Sequence, residues 1–177
     1  QTIGGVSPVG LCGSGALDAL AQLYSAGIVD KTGRMRDGTG VRMRDGEREF
    51  VIAEGDGDSS RSVVITQSDV RQLQLAKGAV QAGIHLLLAT AGRSETDVER
   101  VIIAGAFGTY INIPSAVAIG MLPALPLSSF EQVGNAAGMG AVATLVSRAK
   151  RQEAAELARR IRYVELGNSP DFPSTFV

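Results

Sequence analysis

The sequence has very few of the side chains that hold metal ions or form disulfides. Its 177 residues include one cysteine, Cys12, and one histidine, His85. A disulfide needs two cysteines, an iron–sulfur cluster needs about four thiolates, and a structural zinc site needs about four Cys or His ligands. The sequence therefore excludes an internal disulfide and predicts no metal site and no cluster held by this chain. A reducing, cytoplasmic location is the expectation.

Excess charge and long apolar runs are also lacking. Seventeen Lys and Arg side chains stand against 18 Asp and Glu, a formal net charge of −1, so bulk electrostatic binding of nucleic acid is not expected. No segment approaches the run of about 18 apolar residues that a membrane helix requires. With 45% hydrophobic and 20% charged residues, the composition is typical of a globular domain, and the length suits one domain.

Aromatic residues are scarce and glycine is abundant. Phe and Tyr make up 5% of the chain and tryptophan is absent, whereas there are 22 glycines. Glycine lets a backbone approach a ligand closely, which favours a nucleotide or phosphate site. The chain begins at Gln1 rather than at a methionine and opens in mid-pattern with TIGGV, and we therefore expect a piece of a longer protein.

Helix signals and strand signals alternate along the chain. Ser14 and Ser68 are placed as N-caps, and glycines follow the apolar stripes. Val70, Leu73, Val80, Ile84 and Leu87 are expected to form a buried stripe. The predicted helices cover residues 15–25, 69–91, a short segment from Pro114 to about Gly120, and one or two helices over 135–162.

The predicted strands are short and β-branched. Asp45-Gly46 between extended runs predicts a hairpin, which makes residues 31–62 an insertion on an α/β core. The remaining predicted strands are 63–66, 101–104, FEQVGN at 130–135 and YVEL at 163–166. Strands alternating with helices predict an α/β domain with a largely parallel, mixed sheet and flanking helices.

Common catalytic motifs are missing. The chain has no G-x-x-x-x-G-K-[ST] segment and no G-x-S-x-G elbow, and its G-x-x-G-x-G at Gly10–Gly15 has the wrong order for a dinucleotide fold. His85 is expected in or near the core rather than in catalysis. Cys12 stands beside a helix start, where the pKa of a thiol can be lowered, but we favour a small buried thiol. No catalytic residue is predicted.

Three features point to a ligand site, each with an ordinary structural alternative. Gly105-Ala106-Phe107-Gly108 follows an apolar strand, where a flat ring could lie on bare backbone, although a tight turn explains it equally well. Gln74 and Lys77 share a helix face and can reach one ligand, although such residues are common on exposed helices. The helix starts CGSGA, with Gly13 and Ser14, and NAAGMGA offer free N–H groups, although close helix packing is the alternative and is favoured for NAAGMGA.

Taken in order, the segments GLCGSGALDAL, ITQSDVRQLQLAKGAVQAG, VIIAGAFGTYI, VGNAAGMGA and YVEL resemble the C-terminal part of the reductive activators of corrinoid proteins. Members of that family are multidomain ATPases. They join a [2Fe–2S] ferredoxin-like domain to a domain of the acetate and sugar kinase, heat-shock chaperone and actin superfamily. The resemblance implies that residues 1–177 are one C-terminal lobe of such an actin-like, ribonuclease H-like ATPase domain.

The resemblance also implies residue roles. Gly105, Ala106 and Phe107 match the superfamily's adenosine motif, and Gln74 and Lys77 match its E-x-x-K helix with glutamine in place of the acid. Gly13 and Ser14 would begin a helix near the nucleotide cleft. NAAGMGA resembles the second connecting helix, so lobe closure would be transmitted through residues 136–149.

The two phosphate loops of the superfamily, with their D-x-G-T pattern and Mg²⁺-positioning aspartates, have no counterpart in this sequence. The resemblance places them upstream, together with the four cysteines of the [2Fe–2S] cluster. ATP would then be the ligand, Mg²⁺ would be held upstream, and this piece alone would not hydrolyse ATP. The implied partners are the upstream lobe and a corrinoid protein of a methyltransferase system.

Two other functions stay open. The same fold could be a non-catalytic, nucleotide-responsive docking module, or a lobe of a small-molecule kinase, which would need a substrate-binding acid upstream. A sheet cut before its first strands also has an unpaired edge, so a homo-oligomer is plausible.

Overall fold

Three antiparallel strands and two parallel strands form two separate sheets. The structure, a computed structural model, describes residues 3–55 and 62–168. The chain divides into two units, one made of Gln1–Gln81 and Ile111–Pro123 and the other of Ala82–Tyr110 and Ala124–Val177. Each unit is described by itself below.

The sheet of the first unit is built on a tight hairpin. Strands β1 (Val41–Arg44), β2 (Glu47–Ala53) and β3 (Val63–Thr66) pair antiparallel in that order. Asp45 and Gly46 connect β1 to β2 with φ values of 50° and 81°, the left-handed pair that a two-residue hairpin turn needs. The predicted hairpin and the predicted strand at 63–66 are confirmed.

Helix α1 (Gly13–Ser25) begins two residues earlier than predicted. Its N-cap is Cys12 rather than Ser14, because the Cys12 Sγ accepts a hydrogen bond from the Gly15 N–H at 3.4 Å. A sulfur acceptor is a weaker cap than a hydroxyl, so propensity alone favours serine at this position. Leu17 and Leu20 are buried on one face of this helix.

Helix α2 (Gln67–Thr90) is capped by Thr66, not by Ser68 as predicted. Asp69 Oδ2 accepts from the Thr66 N–H at 2.8 Å and from its hydroxyl at 3.0 Å, and Thr66 Oγ1 accepts from the Asp69 N–H at 3.0 Å. This reciprocal pair satisfies two donors at the helix start.

The predicted buried stripe of α2 is only partly correct. Val70 is fully buried, but Val80 is 38% exposed and Leu87 is 51% exposed. Helical spacing shows which residues share a face, whereas the elements packed around a helix decide how far that face is buried. The small side chain of Ala82 is buried instead.

The short helix predicted from Pro114 completes the first unit as α4 (Ile113–Ala118), which follows α3 (Ala106–Tyr110) of the second unit along the chain. Asn112 caps it, accepting from the Ser115 N–H at 3.0 Å, and proline is accommodated in its first turn. The core of this unit includes the fully buried side chains of Met35, Ile65 and Val70.

The second unit contains a two-stranded parallel sheet. Strand β4 (Val101–Ala104) pairs with β5 (Phe130–Gly134), with Val101 opposite Phe130. Helix α3 (Ala106–Tyr110) follows β4 directly. Both strands were predicted, and antiparallel and parallel sheets with flanking helices confirm the mixed α/β class. The expectation of a largely parallel sheet is wrong for the described strands, because three of the five pair antiparallel.

Two helices follow β5, α5 (Ala136–Val146) and α6 (Arg148–Arg160). They are separated at Ser147, whose extended backbone ends α5 and whose hydroxyl caps α6 by accepting from the Lys150 N–H at 3.3 Å. The helix expected to run over 136–149 is therefore interrupted after Val146.

The strand predicted for YVEL is wrong. Residues 161–165 have no regular structure, and residues 166–168 form a 3₁₀ turn. Tyr163 is 83% exposed. A β-branched and aromatic run becomes a strand only where another strand offers its free edge, and no described strand pairs with this segment.

No helix within residues 3–55 and 62–168 is both long enough and apolar enough to cross a lipid bilayer.

Candidate functional site

The glycine corner after β4 is open. Gly105 has a φ of 99°, a conformation that side-chain-bearing residues rarely adopt, and no described residue beyond its two chain neighbours has a heavy atom within 4 Å of the position where a Cβ would stand. Ala106 and Phe107 are exposed, with Phe107 at 49%. The corner thus exposes main chain at the carboxyl end of a parallel strand, the position where ligands bind in open α/β sheets.

Hydrogen bonds and close packing on its inner side fix the backbone of this corner. The Gly105 N–H donates to the Gly134 carbonyl at 2.7 Å, and the Thr109 hydroxyl donates to the Gly105 carbonyl at 3.1 Å. Gly108 is buried, and a Cβ there would lie 2.6 Å from Ile103 Cγ2. Glycine at 108 therefore lets α3 pack closely on β4, while glycine at 105 leaves the outer side free.

A second glycine corner, not included among the predicted site residues, lies at the same sheet edge. Gly134 ends β5 with a φ of 64°, and Asn135 then caps α5 by accepting from the Gly138 N–H at 2.9 Å. Parallel strands end at one edge, so both corners lie on the same side of this sheet. The segment V-G-N-A-A-G carries the signal for this corner, although close helix packing is the favoured explanation of its small residues.

The side chains of Gln74 and Lys77 each donate to a backbone carbonyl of the first unit. Gln74 Nε2 donates to the Thr32 carbonyl at 3.3 Å, and Lys77 Nζ donates to the Ile119 carbonyl at 2.7 Å. Ile119 is the C-cap of α4. Lys77 therefore places its charge at the negative end of a helix, which stabilises that end.

Gln74 and Lys77 line the same cavity, of about 290 Å³. Leucine, tyrosine and valine side chains supply its apolar wall, and Asp30 and Lys31 supply further charge. Gly13 and Ser14 are not among its lining residues. The lining residues are Leu20, Tyr24, Val29, Asp30, Lys31, Gly33, Val70, Gln74, Lys77, Val117, Ala118, Ile119 and Gly120.

The turn at residues 30–34 forms part of the wall of this cavity. The sequence alone did not predict that this turn belongs to a candidate site. Asp30 Oδ1 accepts from the Thr32 N–H at 2.9 Å, the Thr32 hydroxyl at 2.6 Å and the Arg34 N–H at 3.1 Å. These bonds, the Thr32 hydroxyl first, lower the pKa of Asp30 to about 2. The signal was the turn sequence Asp-Lys-Thr-Gly.

Gly33 lets this turn lie against α2. Its φ is 79°, and a Cβ on it would overlap the side-chain amide of Gln74. Any larger residue at 33 must displace Gln74, so the position of a predicted site residue depends on this glycine.

Cys12 is exposed, so the expectation of a buried thiol is wrong. Its Sγ lies 3.3 Å from the Ser14 hydroxyl. That hydroxyl, followed by the Gly15 N–H, lowers the pKa of the Cys12 thiol. Ser14 thus acts on the thiol instead of capping α1.

His85 is half-buried, as expected, and its Nε2 lies 2.9 Å from Glu95 Oε1. Across the described parts of the chain, no group of three or more His, Cys, Asp or Glu side chains is arranged to hold a metal ion. The chemistry these surfaces offer is binding through backbone, amide and ammonium donors.

The mixed α/β architecture agrees with a domain of the acetate and sugar kinase, heat-shock chaperone and actin class, abbreviated ASKHA. A family model described as the C-terminal domain of RACo, the ASKHA domain, matches residues 1–177. The chain belongs to this family. The fold class inferred from the sequence is confirmed.

Known relatives and a solved structure agree with this assignment. The chain is 33% identical over 188 residues to a "corrinoid activation enzyme RamQ" of Eubacterium limosum, covering all of this chain and 32% of the relative. It is 24% identical over 157 residues to a "[Co(II) methylated amine-specific corrinoid protein] reductase" of Methanosarcina barkeri, covering 89% and 26%. A solved "reductive activator for corrinoid, iron–sulfur protein" matches with a TM-score of 0.89 and 39% identity, covering 99% and 29%.

The chain therefore spans about a third or less of the length of these relatives.

Proposed function

We propose that this chain is the nucleotide-binding part of an ATP-dependent reductive activator of corrinoid proteins. The names of the relatives support the corrinoid side of this proposal. The observation that carries the nucleotide side is the open corner at Gly105, where bare main chain ends a parallel strand. The corrinoid protein of a methyltransferase system is the proposed partner.

The residues of the second unit fit an adenosine group. A purine needs a flat surface without side chains, and apart from the chain neighbours of Gly105 no described residue comes within 4 Å of its Cβ position. Phe107, half exposed beside it, supplies an aromatic surface. We assign Gly105, Ala106 and Phe107 to binding and orienting the nucleoside.

The first unit offers hydrogen-bond donors that suit the polar groups of a ligand. Gln74 and Lys77 line a cavity of about 290 Å³ with donors directed to backbone carbonyls. Either side chain can transfer its hydrogen bond from a carbonyl to a ligand oxygen. We assign these two residues, with Gly13 and Ser14 at the start of α1, to nucleotide contacts of this unit.

An iron–sulfur cluster does not fit this chain. It has a single cysteine, and its described residues contain no group arranged to ligate a metal. We propose that [2Fe–2S] and the Mg²⁺-positioning aspartates belong to other parts of the intact protein. When bound, ATP supplies the free energy for an uphill electron transfer to Co(II). The residues of this chain bind and orient the nucleotide and by themselves hydrolyse none.

Titration of the full-length protein with ATP tests the corner. Gly105→Ala puts a methyl group where the purine is proposed to lie, and affinity should fall roughly tenfold, since overpacking costs about 1–3 kcal/mol. Gly92→Ala is the matched control, because Gly92 also has a positive φ, 64°, with nothing within 4 Å of its Cβ position. Equal ATP affinity in the two variants would refute the assignment of Gly105.

A second titration tests Lys77. Lys77→Met should lower ATP affinity, while Lys150→Met, which removes an exposed lysine paired with Glu153, should leave it unchanged. Because Lys77 also caps α4, circular dichroism must show the same helix content in both variants. A docking module without catalysis would bind ATP with these dependences, yet would activate its corrinoid partner equally well with a non-hydrolysable analogue.

A further inference from the structure

A second cavity of the first unit, of about 460 Å³, is lined by arginines. Arg34, Arg48 and Arg71 contribute to its wall, and the remaining lining residues are the uncharged Thr32, Gly33, Gln67 and Gln74. None of the described residues that line this cavity carries a carboxylate. The arrangement is unexpected in a chain whose net charge is −1, because three like charges around one hollow repel one another.

The two glutamines form the frame of this cavity, which we call the arginine pocket. Gln67 Oε1 accepts from the Met35 N–H at 2.7 Å, and its Nε2 donates to the Gly33 carbonyl at 2.8 Å. Gln74 donates to the Thr32 carbonyl at 3.3 Å. These amides hold the turn at 32–35 against α2, and the arginines supply the donors that remain for a ligand.

The guanidinium of Arg48 satisfies a single carboxylate, that of Asp37, by itself. Its Nε donates to Asp37 Oδ1 at 2.8 Å and its Nη2 to Asp37 Oδ2 at 3.1 Å, which is a complete bidentate pair. This contact lowers the pKa of Asp37. A guanidinium carries five N–H donors, and the pair uses two of them.

Arg34 and Arg71 have no such partner. Both are exposed, and within residues 3–55 and 62–168 neither side chain forms a hydrogen bond or an ion pair. The charge of Arg34 acts on Asp37 only at longer range. Arg71 stands near the N-terminus of α2, where the helix dipole disfavours a cation.

A third cavity of the first unit, which shares Arg34 and Arg48 with the arginine pocket, contains carboxylates. Asp30 and Asp37 line that third cavity together with Arg34, Arg36 and Arg48. Asp30 is occupied by Thr32 and Arg34 backbone donors and lies 3.5 Å from Arg36 Nε, and Asp37 is occupied by Arg48. Both acids therefore have donors of their own, and among the residues that the structure describes no carboxylate forms an ion pair with Arg34 or Arg71.

We infer that the arginine pocket binds the phosphate group of a small molecule. One carboxylate is satisfied by one guanidinium, as Asp37 shows, whereas a phosphate monoester carries about −1.5 to −2 charges and three acceptor oxygens. Arginine forks match those oxygens with two parallel hydrogen bonds each. The site goes beyond the proposed nucleotide contacts, none of which is an arginine.

Calorimetric titration of the full-length protein with inorganic phosphate, at constant ionic strength, tests this site. Arg34→Gln with Arg71→Gln should weaken phosphate binding at least roughly tenfold, the loss expected for one or two charge-assisted hydrogen bonds. Arg93→Gln with Arg148→Gln is the matched control, since both arginines are exposed, lack a described side-chain partner and remove the same charge. Its affinity should stay within about twofold of the wild type, well short of that loss.

The Arg34→Lys, Arg71→Lys variant separates charge from geometry. It keeps both charges but loses the forks, and it should bind phosphate with an affinity between those of the wild type and the glutamine variant. Circular dichroism establishes that each variant is folded. Absence of phosphate binding by the wild type, binding that survives in the glutamine variant, or an equal loss in the control would overturn the proposal.

Further titrations identify the source of the phosphate. The pocket shares Gly33 and Gln74 with the cavity of about 290 Å³, so AMP and adenosine are the informative pair. If AMP binds more tightly than phosphate, and AMP but not adenosine loses affinity in the glutamine variant, the phosphate is carried on a nucleoside. If AMP is no better than phosphate, the site takes a free phosphate or a different ester. Acetate binding that equals phosphate binding would overturn the phosphate class, and none of these results depends on Gly105.

Discussion

The two units differ in how much of their apolar surface they bury. Apart from Ala82 and Leu86, the buried apolar side chains of the described residues belong to the first unit, where Met35, Ile65 and Val70 are fully enclosed. In the second unit Met139 is 60% exposed, Leu145 75% and Val146 78%, and α5 has no buried residue at all.

Because of this difference, the residues of the two candidate binding surfaces are held in place by different interactions. Gln74, Lys77 and the arginines stand on a unit with its own core, so side-chain packing positions them. The corner at Gly105 stands on a two-stranded parallel sheet, a kind of sheet that is normally covered on both faces. Its geometry is held by backbone hydrogen bonds such as that from Gly105 to Gly134.

The largest expected effect is the difference in stability loss between alanine substitutions of two methionines, one buried and one exposed. Met35→Ala should destabilise the first unit by about 2–5 kcal/mol, because it opens a cavity in a closed core. Met139→Ala should change the second unit by no more than about 0.5 kcal/mol, because the side chain is largely exposed. Hydrogen exchange followed by mass spectrometry measures the protection of each unit. Similar losses of protection in both variants would contradict the proposed difference between the units.

The next prediction compares two glycines with left-handed backbone. Alanine at Gly92 meets open space and should cost about 1–2 kcal/mol from the backbone alone. Alanine at Gly33 has the same backbone cost and must also displace Gln74, so it should cost more. Denaturant titration measures both, and adding Gln74→Ala to Gly33→Ala should recover the excess. If the double variant is no more stable than Gly33→Ala, contact with Gln74 is not the cause.

A smaller effect is expected from acid. The pKa of Asp30 is about 2 in the folded protein, below the ordinary 3.8, so this carboxylate contributes stability above pH 3.8 that is lost as the pH falls towards 2. The difference in unfolding free energy between wild type and Asp30→Asn should therefore shrink between about pH 4 and pH 2. Asp97 of the second unit, whose pKa is lowered by Ser94, should behave in the same direction and less strongly, because it accepts fewer bonds. A difference for Asp30→Asn that grows on acidification would contradict the sign.

The smallest effect concerns the thiol of the first unit. Ser14→Ala removes the main group that lowers the pKa of Cys12, so the thiolate fraction at neutral pH should fall. Alkylation of the Cys12 peptide by iodoacetamide, followed by mass spectrometry from pH 6 to 9, should show the rate profile shifted to higher pH. Ser25→Ala, at the other end of α1, serves as the control. An unshifted profile in Ser14→Ala would mean that the helix start alone sets the reactivity.

Local signals predicted the elements well where a few neighbouring residues decide the backbone. Asp45-Gly46 forms the turn that its two left-handed residues favour, and Val101–Ala104 is the strand that its apolar run indicated. Ser14 and Ser68 failed as caps because Cys12 and Thr66, each adjacent to the true first turn, form those bonds. Both caps lie two residues before the predicted serines, a displacement that is common at helix ends.

The sequence predicted several residues of the candidate site, but it did not predict which groups those residues contact. The sequence singled out Gln74 and Lys77 because they share a helix face, yet it could not indicate that they bind the carbonyls of Thr32 and Ile119, each 42 residues away. The arginine pocket was missed for the same reason, since Arg34, Arg48 and Arg71 come from a turn, a strand and a helix.

The order of residues by itself determined the glycine-cornered strands, the hairpin and the scarcity of metal ligands, because these depend on backbone preference and on composition. Tertiary structure alone decided that YVEL is not a strand, that Val80 and Leu87 stay exposed, and that three arginines surround one cavity. Burial, strand pairing and charge clustering all require partners distant in sequence, and only the folded chain brings those partners within contact distance.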